Sequence, residues 1–466
     1  MMKRNIIFEM TSGCNCRCKY CFESHNRGVV KNIDYGTIDN SLIKIISEEK
    51  VEYMVTFFGG EPLLCFDKIR YIVEKGKNIA RKNNCYIMFN VVTNGSLCTG
   101  EVNEFLIKNN IYTFFSFDGN QEIQNKYRIL PNRDSYEEIL TNIKDNINRQ
   151  KDVYTKDCGA VRVTVTKDLL PKLVDTYLFL RDEIRCPKIT FALVSAKPGE
   201  EYALNKESLE ILEEIYFKLA EIYIAEIKNG KSVNRFFESI VRNIAFGNHK
   251  LKFCRCDDDY IAIGADGTVY PCEGFLGYSE FAYGNINEEI NFKDKSGIGI
   301  ENSLENIHCK KCWAKYLCAG SCYHECYMRH GDVNVKDEFM CETYKCAIST
   351  GIYIYNRLLN ENLIDKFIKI SFETIFDDAV PVIDFDNVYF DRGKKILFYS
   401  DSDEYCNINL DEVAVDILSL CNKRNTVRDI TDRLSDLYNT NKMEMYTDIS
   451  EFLSDLKRKG IIYLVN

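Results

Sequence analysis

The chain has 466 residues, 21 of them cysteine, and 45% hydrophobic residues. That length allows roughly two to four domains and excludes a small disulfide-stabilised scaffold, and the apolar content excludes a largely disordered chain. No stretch approaches the roughly 18 apolar residues of a membrane span, and the apolar run 6–8 is too short for a signal peptide. We therefore expect a cytoplasmic protein with reduced cysteines and no membrane partner. The net charge of −10 argues against nucleic acid as a partner.

The first 195 residues alternate short β-rich runs with longer amphipathic ones. Strands are predicted at 5–10, 53–58, 86–93, 112–117, 161–166 and 189–194. Helices are predicted between them, for example at 37–48, 69–82 and 135–149. Strands that alternate with helices form parallel sheets, so this part is predicted to be α/β, a parallel sheet or partial barrel. The loops after the strands are where such folds bind ligands.

Beyond the first 195 residues the pattern changes twice. Residues 205–247 are predicted to be helical, and 254–346 are rich in cysteine and are predicted to be loop-like. In the last part, strands are predicted at 382–390, 395–399 and 405–408, helices at 411–421, 426–439 and 447–459, and a final strand at 461–465. This order is typical of a small winged-helix-like α+β unit. Residues 371–466 contain 19 Asp and Glu against 11 Lys and Arg, so this unit would repel a DNA duplex.

The first cysteine group lies on the loop after the first predicted strand. Cys14, Cys18 and Cys21 form a C-x3-C-x2-C pattern. Three thiolates at this spacing can hold three irons of a [4Fe-4S] cluster and leave the fourth iron open. The alternative is a zinc site, in which Cys16 or His25 would supply a fourth ligand. The spacing alone leaves both interpretations open.

The surrounding motifs resemble the radical S-adenosylmethionine (SAM) superfamily. Tyr20 precedes the last cysteine, and Gly59, Gly60 and Glu61 begin a Gly-Gly-Glu-Pro motif after the second strand. The resemblance implies a partial (β/α)6 barrel in which the open iron binds the amino and carboxylate groups of SAM. Electron transfer into SAM would then give a 5'-deoxyadenosyl radical, so that the cofactor supplies the difficult chemistry.

Further positions of the superfamily pattern follow at later strand ends. They are Thr93, Asn94, Ser116, Asp118, Arg128, Arg162 and Leu193. By the resemblance, residues 59–61 would meet the methionyl amine, Ser116 and Arg162 the ribose or carboxylate, and Leu193 the adenine. Taken singly, a Gly-Gly after a strand is usually a turn, and an arginine on a strand is usually solvated. Their order at successive strand ends carries the prediction.

The second cysteine group resembles the SPASM extension of radical SAM enzymes, which binds two auxiliary clusters. By that resemblance, cluster I would use Cys254, Cys272 and Cys322, with Cys256 as a candidate further ligand. Cluster II would use Cys309, Cys312, Cys318 and Cys341. If only one of Cys254 and Cys256 is a ligand, an iron of cluster I stays open. A zinc ribbon at 309–312 is the alternative, and Cys326 and Cys346 exceed the pattern.

Glu273 directly follows Cys272. Similarity to sulfatase-maturing enzymes implies that it is a catalytic base, and an exposed loop glutamate is the alternative. The C-terminal unit resembles the PqqD-like recognition element of enzymes that modify ribosomally made peptides. Such a unit can bind a leader peptide as an added strand, here along 405–408.

These resemblances predict three domains: a radical SAM partial barrel at 1–235, a SPASM domain with a bridging helix at 236–350, and a peptide-recognition domain at 372–466. The predicted enzyme is a radical SAM oxidoreductase of the sactipeptide or ranthipeptide type. It would join a cysteine sulfur to a carbon of a precursor peptide, using SAM, three [4Fe-4S] clusters and an electron donor such as flavodoxin or ferredoxin. The alternatives are a formylglycine-forming sulfatase maturase, a maturase that forms carbon-carbon crosslinks, and a non-catalytic iron-sulfur regulator.

Overall fold

The fold is described from a computed structural model, which covers residues 3–23, 29–131, 134–150, 159–231, 234–256, 258–290, 299–371, 379–386, 388–401 and 404–465. The strands are β1 Lys3–Thr11, β2 Arg17–Cys18, β3 Glu52–Gly59, β4 Tyr86–Thr93, β5 Tyr112–Ser116, β6 Arg128–Ile129, β7 Gly159–Val165, β8 Ile189–Leu193, β9 Tyr260–Ile263, β10 Thr268–Tyr270, β11 Gly284–Asn285, β12 Val380–Ile383, β13 Val388–Asp391, β14 Ile396–Asp401, β15 Glu404–Asn409 and β16 Ile462–Val465.

The helices of the barrel region are α1 Tyr35–Ile45, α2 Phe66–Lys82, α3 Gly100–Lys108, α4 Gln121–Tyr127, α5 Ser135–Arg149, α6 Leu173–Leu178, α7 Glu207–Lys228 and α8 Arg235–Ala245. The later helices are α9 Lys315–Cys318, α10 Tyr323–His330, α11 Glu338–Asn360, α12 Ile364–Ile370, α13 Glu412–Leu420, α14 Val427–Tyr438 and α15 Lys442–Arg458. Within the described residues, no helix combines the length and the apolar character that crossing a membrane requires.

The six strands predicted in the first 195 residues form one parallel sheet, in the order β1-β3-β4-β5-β7-β8. On the outer face, buried Val55, Phe57 and Phe89 join the core that also contains the buried side of α2. Gly76 brings α2 close to the sheet, because a Cβ there would lie 3.0 Å from the Ile87 Cδ1. The predicted α/β fold with a partial barrel is confirmed.

The cysteine-rich region extends this sheet, and here the loop-like prediction for 254–346 is wrong in part. Strand β9 pairs in parallel with β1, and β10 and β11 continue the sheet in antiparallel fashion. These strands are two to four residues long. Strands that short show no periodicity in a sequence, which is why the cysteine-rich region appeared to lack them. The helix α11 begins inside the same region and runs to Asn360.

The helix predicted over 205–247 is two helices. Helix α7 ends at Lys228, and Gly230 follows with a φ of +73°, a left-handed conformation that continues no right-handed helix. Helix α8 then begins with the Asn234 side chain accepting a hydrogen bond from the Phe237 amide.

The C-terminal unit is winged-helix-like, as predicted, with helices α13, α14 and α15. Its strands form two small sheets, β12-β16 and β13-β14-β15. The strand predicted at 382–390 is therefore two strands that belong to different sheets. The helix predicted at 447–459 begins earlier, at Lys442, because the Asn441 side chain caps the Met443 and Glu444 amides. The predicted start of this unit, residue 372, lies outside the described residues.

The C-terminal unit packs against the N-terminal ends of the barrel strands. Its apolar core is shared with Tyr86, Met88, Tyr112 and Ala160, which lie on β4, β5 and β7. A buried ion pair joins the Lys457 Nζ of α15 to the Glu52 Oε1 of β3 at 2.8 Å. The cysteine loop follows the C-terminal end of β1, so the C-terminal unit and this loop lie at opposite ends of the parallel strands.

Candidate functional site

The loop that carries Cys14, Cys18 and Cys21 is held at both ends. Strand β2 pairs with β6 and sets Cys18 opposite Arg128. The Asn94 Nδ2 donates to the Asn15 Oδ1 at 2.8 Å and lies 3.9 Å from the Cys14 Sγ. The loop is therefore attached to the C-terminal end of β4 and to β6, which directly follows helix α4. Other predicted site residues lie at both of these places.

Gly59 and Gly60 let β3 approach this loop closely. A Cβ on Gly60 would lie 2.2 Å from the Gly13 carbonyl oxygen and 3.0 Å from the Cys14 Cβ. A Cβ on Gly59, whose φ is +123°, would lie 2.3 Å from the Thr11 carbonyl oxygen. Only glycine fits either position without moving the backbone, so the two residues have a packing reason beside the predicted contact with SAM.

Glu61 is fully buried, and its carboxylate accepts three hydrogen bonds. The donors are the Thr93 Oγ1 at 2.8 Å, the Asn94 amide at 2.8 Å and the Leu63 amide at 3.1 Å. Burial raises the pKa of Glu61 to about 7, although these hydrogen bonds oppose the rise. The side chain is absent from the lining of the cavity described below and instead joins β3 to the end of β4.

Asp118, Arg128 and Tyr20 form a buried network behind the cysteine loop. The Arg128 Nε and Nη2 donate to the two Asp118 carboxylate oxygens at 3.1 and 3.2 Å. The Tyr20 hydroxyl donates to the same carboxylate, and the Thr164 amide donates to it at 2.9 Å. A buried charge pair with these additional hydrogen bonds fixes Arg128 beside Cys18.

A cavity of about 330 Å³ opens at the C-terminal ends of the barrel strands. It brings together most of the predicted site residues, namely Cys14, Cys18, Tyr20, Cys21, Gly59, Gly60, Thr93, Asn94, Ser116, Arg128, Arg162, Leu193, Cys272, Glu273 and Cys322. Eight predicted residues do not line it: Glu61 and Asp118, which are buried behind it, Cys254 and Cys256, and the cluster II cysteines Cys309, Cys312, Cys318 and Cys341. The cavity therefore joins the first cysteine group to part of the second.

Three acidic side chains face this cavity, and the sequence singled out only Glu273. Glu23 and Glu325 also line it, as does His324. Burial raises the pKa of Glu325 to about 7, and burial together with the neighbouring Glu9 and Glu273 raises that of Glu23 to about 8. No motif marks Glu23 or Glu325, and their only signal in the sequence is that each lies two or three residues after a predicted cysteine ligand.

Arg162 projects into the same cavity from β7. Glu273 and Glu325 are near enough to interact electrostatically with its guanidinium. Burial raises the pKa of Glu273, and the positive charge of Arg162 opposes that rise. The alternative of an exposed loop glutamate does not describe Glu273, because its side chain lies inside the cavity.

The cysteines predicted for cluster I lie together. The Cys256 thiol contacts both the Cys254 and the Cys272 thiols, and Cys322 interacts electrostatically with Cys254 and Cys272. Both Cys254 and Cys256 therefore lie beside Cys272 and Cys322, so four thiols rather than three are grouped at the predicted position of cluster I.

The cysteines predicted for cluster II also form a group, which consists of Cys309, Cys312, Cys318 and Cys341. Cys326 lies beside them and is buried, with its Sγ 3.1 Å from the Ser321 Oγ and 4.0 Å from the Lys336 Nζ. Cys346 lies elsewhere, near Glu213 and Tyr216 of α7.

The donor set fits iron-sulfur clusters, since each of the three groups consists of thiols and thiolates are the ligands that such clusters use. Among the described residues, no three Cys, His, Asp or Glu side chains converge on one point as a single metal ion would need. His25, the other candidate zinc ligand, lies outside the described residues.

Comparisons with known proteins agree with this site. The profile of the radical SAM superfamily matches residues 8–162, and that of coenzyme PQQ synthesis protein D (PqqD) matches residues 394–462. The cysteine-type anaerobic sulfatase-maturating enzyme of Clostridium novyi is 27% identical over 375 residues, 74% of this chain and 94% of that protein. The radical SAM cyclopropyl synthase TigE of Paramaledivibacter caminithermalis is 24% identical over 367 residues, 73% of this chain and 72% of that protein.

A solved structure of anSMEcpe with bound AdoMet has the same fold, with a TM-score of 0.65 at 20% identity, over 79% of this chain and 98% of that one. The chain thus combines a radical SAM domain with a C-terminal PqqD domain. The protein is a radical SAM enzyme, and the superfamily implies SAM and a [4Fe-4S] cluster as its cofactors.

Proposed function

We propose that this enzyme installs thioether crosslinks in a ribosomally made precursor peptide that contains cysteine. The observation that carries the proposal is the single cavity that joins the first cysteine group, Glu273 and the cluster I cysteines Cys272 and Cys322. The PqqD domain supports a peptide substrate, because such a domain recognises the leader of a precursor. The proposed domains are a barrel at 1–235, a SPASM domain at 236–350 and a recognition domain at 372–466.

Cys14, Cys18 and Cys21 would hold the SAM-binding cluster, and the polar groups of the cavity would hold SAM. Arg162 and Ser116 are suited to the carboxylate or ribose, the backbone at Gly59 and Gly60 to the amine, and Leu193 to the adenine. Thr93 and Asn94 at the end of β4, with the Tyr20, Asp118 and Arg128 network, would keep the cluster loop in position.

The second cysteine group would hold two auxiliary [4Fe-4S] clusters, which gives three clusters in the chain. Cys254, Cys256, Cys272 and Cys322 would bind cluster I, and Cys309, Cys312, Cys318 and Cys341 would bind cluster II. With both Cys254 and Cys256 as ligands, cluster I would be fully ligated and would accept an electron rather than bind the substrate thiolate. A flavodoxin or ferredoxin would supply the electron that begins each cycle.

When bound, the cluster and SAM supply a 5'-deoxyadenosyl radical that removes a hydrogen atom from a carbon of the peptide. Glu273 is placed to accept the proton of the attacking cysteine, because burial raises its pKa and it shares the cavity with the SAM-binding residues. Formation of the carbon-sulfur bond would release one electron, and the auxiliary clusters that the second cysteine group would hold would accept it. The peptide therefore loses two hydrogens per crosslink.

The leader peptide would bind as an added strand on β15. Within the described residues, β15 pairs with β14 and has no partner on its other edge. Tyr405 on this strand is 95% exposed, and Tyr389 of the same sheet is 65% exposed. An open strand edge with exposed aromatic side chains suits an extended peptide.

Formylglycine formation in a sulfatase is the second candidate function. It is favoured by Glu273 in the cavity and by the sulfatase-maturating relative. The cyclopropyl synthase relative supports a further alternative, in which the enzyme forms a carbon-carbon bond. The PqqD domain favours the thioether proposal over the sulfatase, because a sulfatase is not a leader-bearing precursor peptide.

The test is anaerobic incubation of the reconstituted enzyme with SAM, a reductant and any short cysteine-containing peptide that is encoded beside its gene. We expect deoxyadenosine and a peptide that loses two hydrogens per crosslink and whose cysteines no longer react with alkylating agents. The same mass loss with alkylatable cysteines would indicate a carbon-carbon bond. Formylglycine in a sulfatase peptide, with the precursor unchanged, would overturn the thioether proposal.

A further inference from the structure

A second cavity, of about 580 Å³, opens at the other end of the barrel. Met54, Met88 and Phe114 line it from β3, β4 and β5, and α8 and α15 close its sides. On β5, Phe114 lines this cavity and Ser116 lines the SAM cavity, so the two cavities occupy opposite ends of one face of the sheet. We call this second cavity the barrel-floor cavity; the proposed SAM and leader-strand sites use none of its residues.

The barrel-floor cavity is strongly basic. Its charged lining consists of one carboxylate, Glu238, and five cations, which are Lys3, Lys188, Arg235, Arg242 and Arg458. The chain as a whole carries −10, and residues 371–466 contribute −8 of that. Cations gathered in a cleft of an otherwise acidic protein focus a positive potential there, which attracts an anionic partner.

Nearby carboxylates compensate only part of this charge. Glu238 lies 3.4 Å from the Lys188 Nζ, Glu52 lies 3.7 Å from the Lys3 Nζ, and Asp455 lies 3.0 Å from the Arg458 Nη2. These pairs account for three of the five cations.

Arg235 and Arg242 contact neutral oxygens instead. The Arg235 Nη1 donates to the Tyr112 hydroxyl at 2.6 Å, and the Arg242 Nη1 donates to the Ser371 carbonyl at 3.1 Å. Over the part of the chain that the structure describes, no carboxylate forms an ion pair with either guanidinium. Since a guanidinium has five N–H donors, both can still bind an anion from the cavity.

The remaining lining indicates a peptide rather than an inorganic anion. Met54, Phe114 and Phe246 offer apolar surface beside the arginines. A phosphate ion makes no use of apolar surface, whereas a peptide that alternates acidic and apolar side chains uses both. Ser454 and Arg458 belong to α15 of the PqqD domain, so the domain that receives the peptide builds part of this cavity.

We propose that the barrel-floor cavity binds an acidic segment of the precursor peptide, as a second contact beside the PqqD strand edge. The inference rests on the proposed function, in which the substrate is a precursor peptide. Two linked contacts on one peptide raise its overall affinity, because binding at the first raises the effective concentration at the second. Arg235 and Arg242 supply the charge-assisted hydrogen bonds, and the methionines and phenylalanines supply the apolar contact.

The test uses the full-length reconstituted enzyme and fluorescein-labelled octaglutamate, with fluorescence anisotropy as the readout. In Arg235→Gln and in Arg242→Gln we expect affinity for the probe to fall about tenfold, the usual effect of losing one good charged contact. Arg424→Gln removes an exposed arginine of the PqqD domain outside the cavity and should bind as the wild type does. Equal affinity in all four proteins would overturn the proposal, as would displacement of the probe by pyrophosphate at far lower concentration than by unlabelled octaglutamate, which would identify a small-anion site.

A second measurement needs no variant. A carbodiimide joins carboxylates to amines in contact, so octaglutamate should become linked to Lys3 or Lys188, as peptide mapping by mass spectrometry would reveal. Links confined to other lysines would contradict the proposal.

Two further measurements distinguish failure of the cavity proposal from failure of the proposed reaction. SAM cleavage without peptide should be equal in both cavity variants and the wild type, and turnover of the precursor should show a raised KM in the variants. A wild type that binds octaglutamate through Arg235 and Arg242 but never alters the precursor would refute the proposed reaction alone.

Discussion

At the scale of single residues, a substitution of Gly60 tests the loop that carries Cys14, Cys18 and Cys21. In Gly60→Ala, the new Cβ would meet the Gly13 carbonyl oxygen at 2.2 Å, so the loop that carries Cys14 must move. We expect iron to fall from about 12 to about 8 per chain, because only the SAM-binding cluster is lost, and SAM cleavage to be abolished. Iron analysis and deoxyadenosine assays measure both effects.

Gly393→Ala is the matched control, since a Cβ there meets the Asp391 Oδ1 at an ordinary 3.6 Å. It should retain full iron and activity. Full iron in Gly60→Ala would show that the loop tolerates the displacement and that the close approach is not needed.

Glu61 predicts a dependence of stability on pH. Its pKa is raised from 4.5 to about 7 by burial, so the folded chain holds this proton more tightly than the unfolded chain does. Its contribution to the free energy of unfolding is therefore complete below pH 4.5 and is lost as the pH rises through 7, by about 3 kcal/mol at most. In Glu61→Gln, which stays neutral, the Tm should fall less over this range.

Anaerobic calorimetry at a series of pH values measures the effect, and Glu104→Gln, on the exposed side of α3, is the control. The slope of Tm against pH is the readout, because the glutamine also loses an acceptor for the Asn94 amide and so lowers the Tm at every pH. Identical slopes in Glu61→Gln and the wild type would contradict the prediction.

The residues that the sequence reveals and those that it hides differ in a physical way. Cys14, Gly60 and Arg162 belong to patterns that cofactor geometry imposes, so spacing and order predict them. Glu23 and Glu325 reach the cavity because their loops fold against it, and nothing in their local sequence requires that. Glu61 matches a motif, yet its carboxylate accepts hydrogen bonds from residues at the end of β4. Its predicted contact with the SAM amine stays a prediction.

At the scale of elements, the free edge of β15 carries a prediction about the leader peptide. Tyr405 is almost fully exposed on this strand, so its loss should not disturb the fold. In Tyr405→Ala we expect the KM for the precursor to rise about tenfold, the effect of one lost aromatic contact, with SAM cleavage unchanged. Leu437→Ala, an exposed site on α14 of the same domain, should leave the KM unchanged. An unchanged KM in Tyr405→Ala would place the leader elsewhere.

Helices and strands could be predicted from the sequence where a single hydrophobic periodicity extends over enough residues. The six parallel strands of five to nine residues alternate with amphipathic helices, and their order predicted a parallel sheet or partial barrel. Strands β9 to β11 are short, and they join the sheet through β9, which pairs with β1, a partner more than 240 residues away in sequence. Local pattern cannot predict such pairing, because the contact that stabilises each strand is made only in the folded chain.

At the scale of the whole molecule, the apolar core of the C-terminal unit includes side chains of the barrel. Tyr86, Met88 and Tyr112 of the barrel share an apolar cluster with Ile383 and Leu464 of the C-terminal unit. Removing residues 372–466 would therefore expose apolar barrel surface as well as remove leader binding. Such a truncation cannot separate recognition from stability, so the interface needs a point substitution.

The buried pair of Lys457 and Glu52 offers that substitution. Their side chains are 8% and 0% exposed, and the Nζ lies 2.8 Å from the Oε1. Lys457→Met leaves the Glu52 charge buried with Lys3 at 3.7 Å as its remaining cation, so we expect a loss of about 3 kcal/mol in stability. The double variant with Glu52→Gln removes both charges and should regain most of the lost Tm. A double variant as unstable as the sum of the two single ones would show that the charges act independently. If the single variant retains the wild-type Tm, the pair does not fix the domain to the barrel.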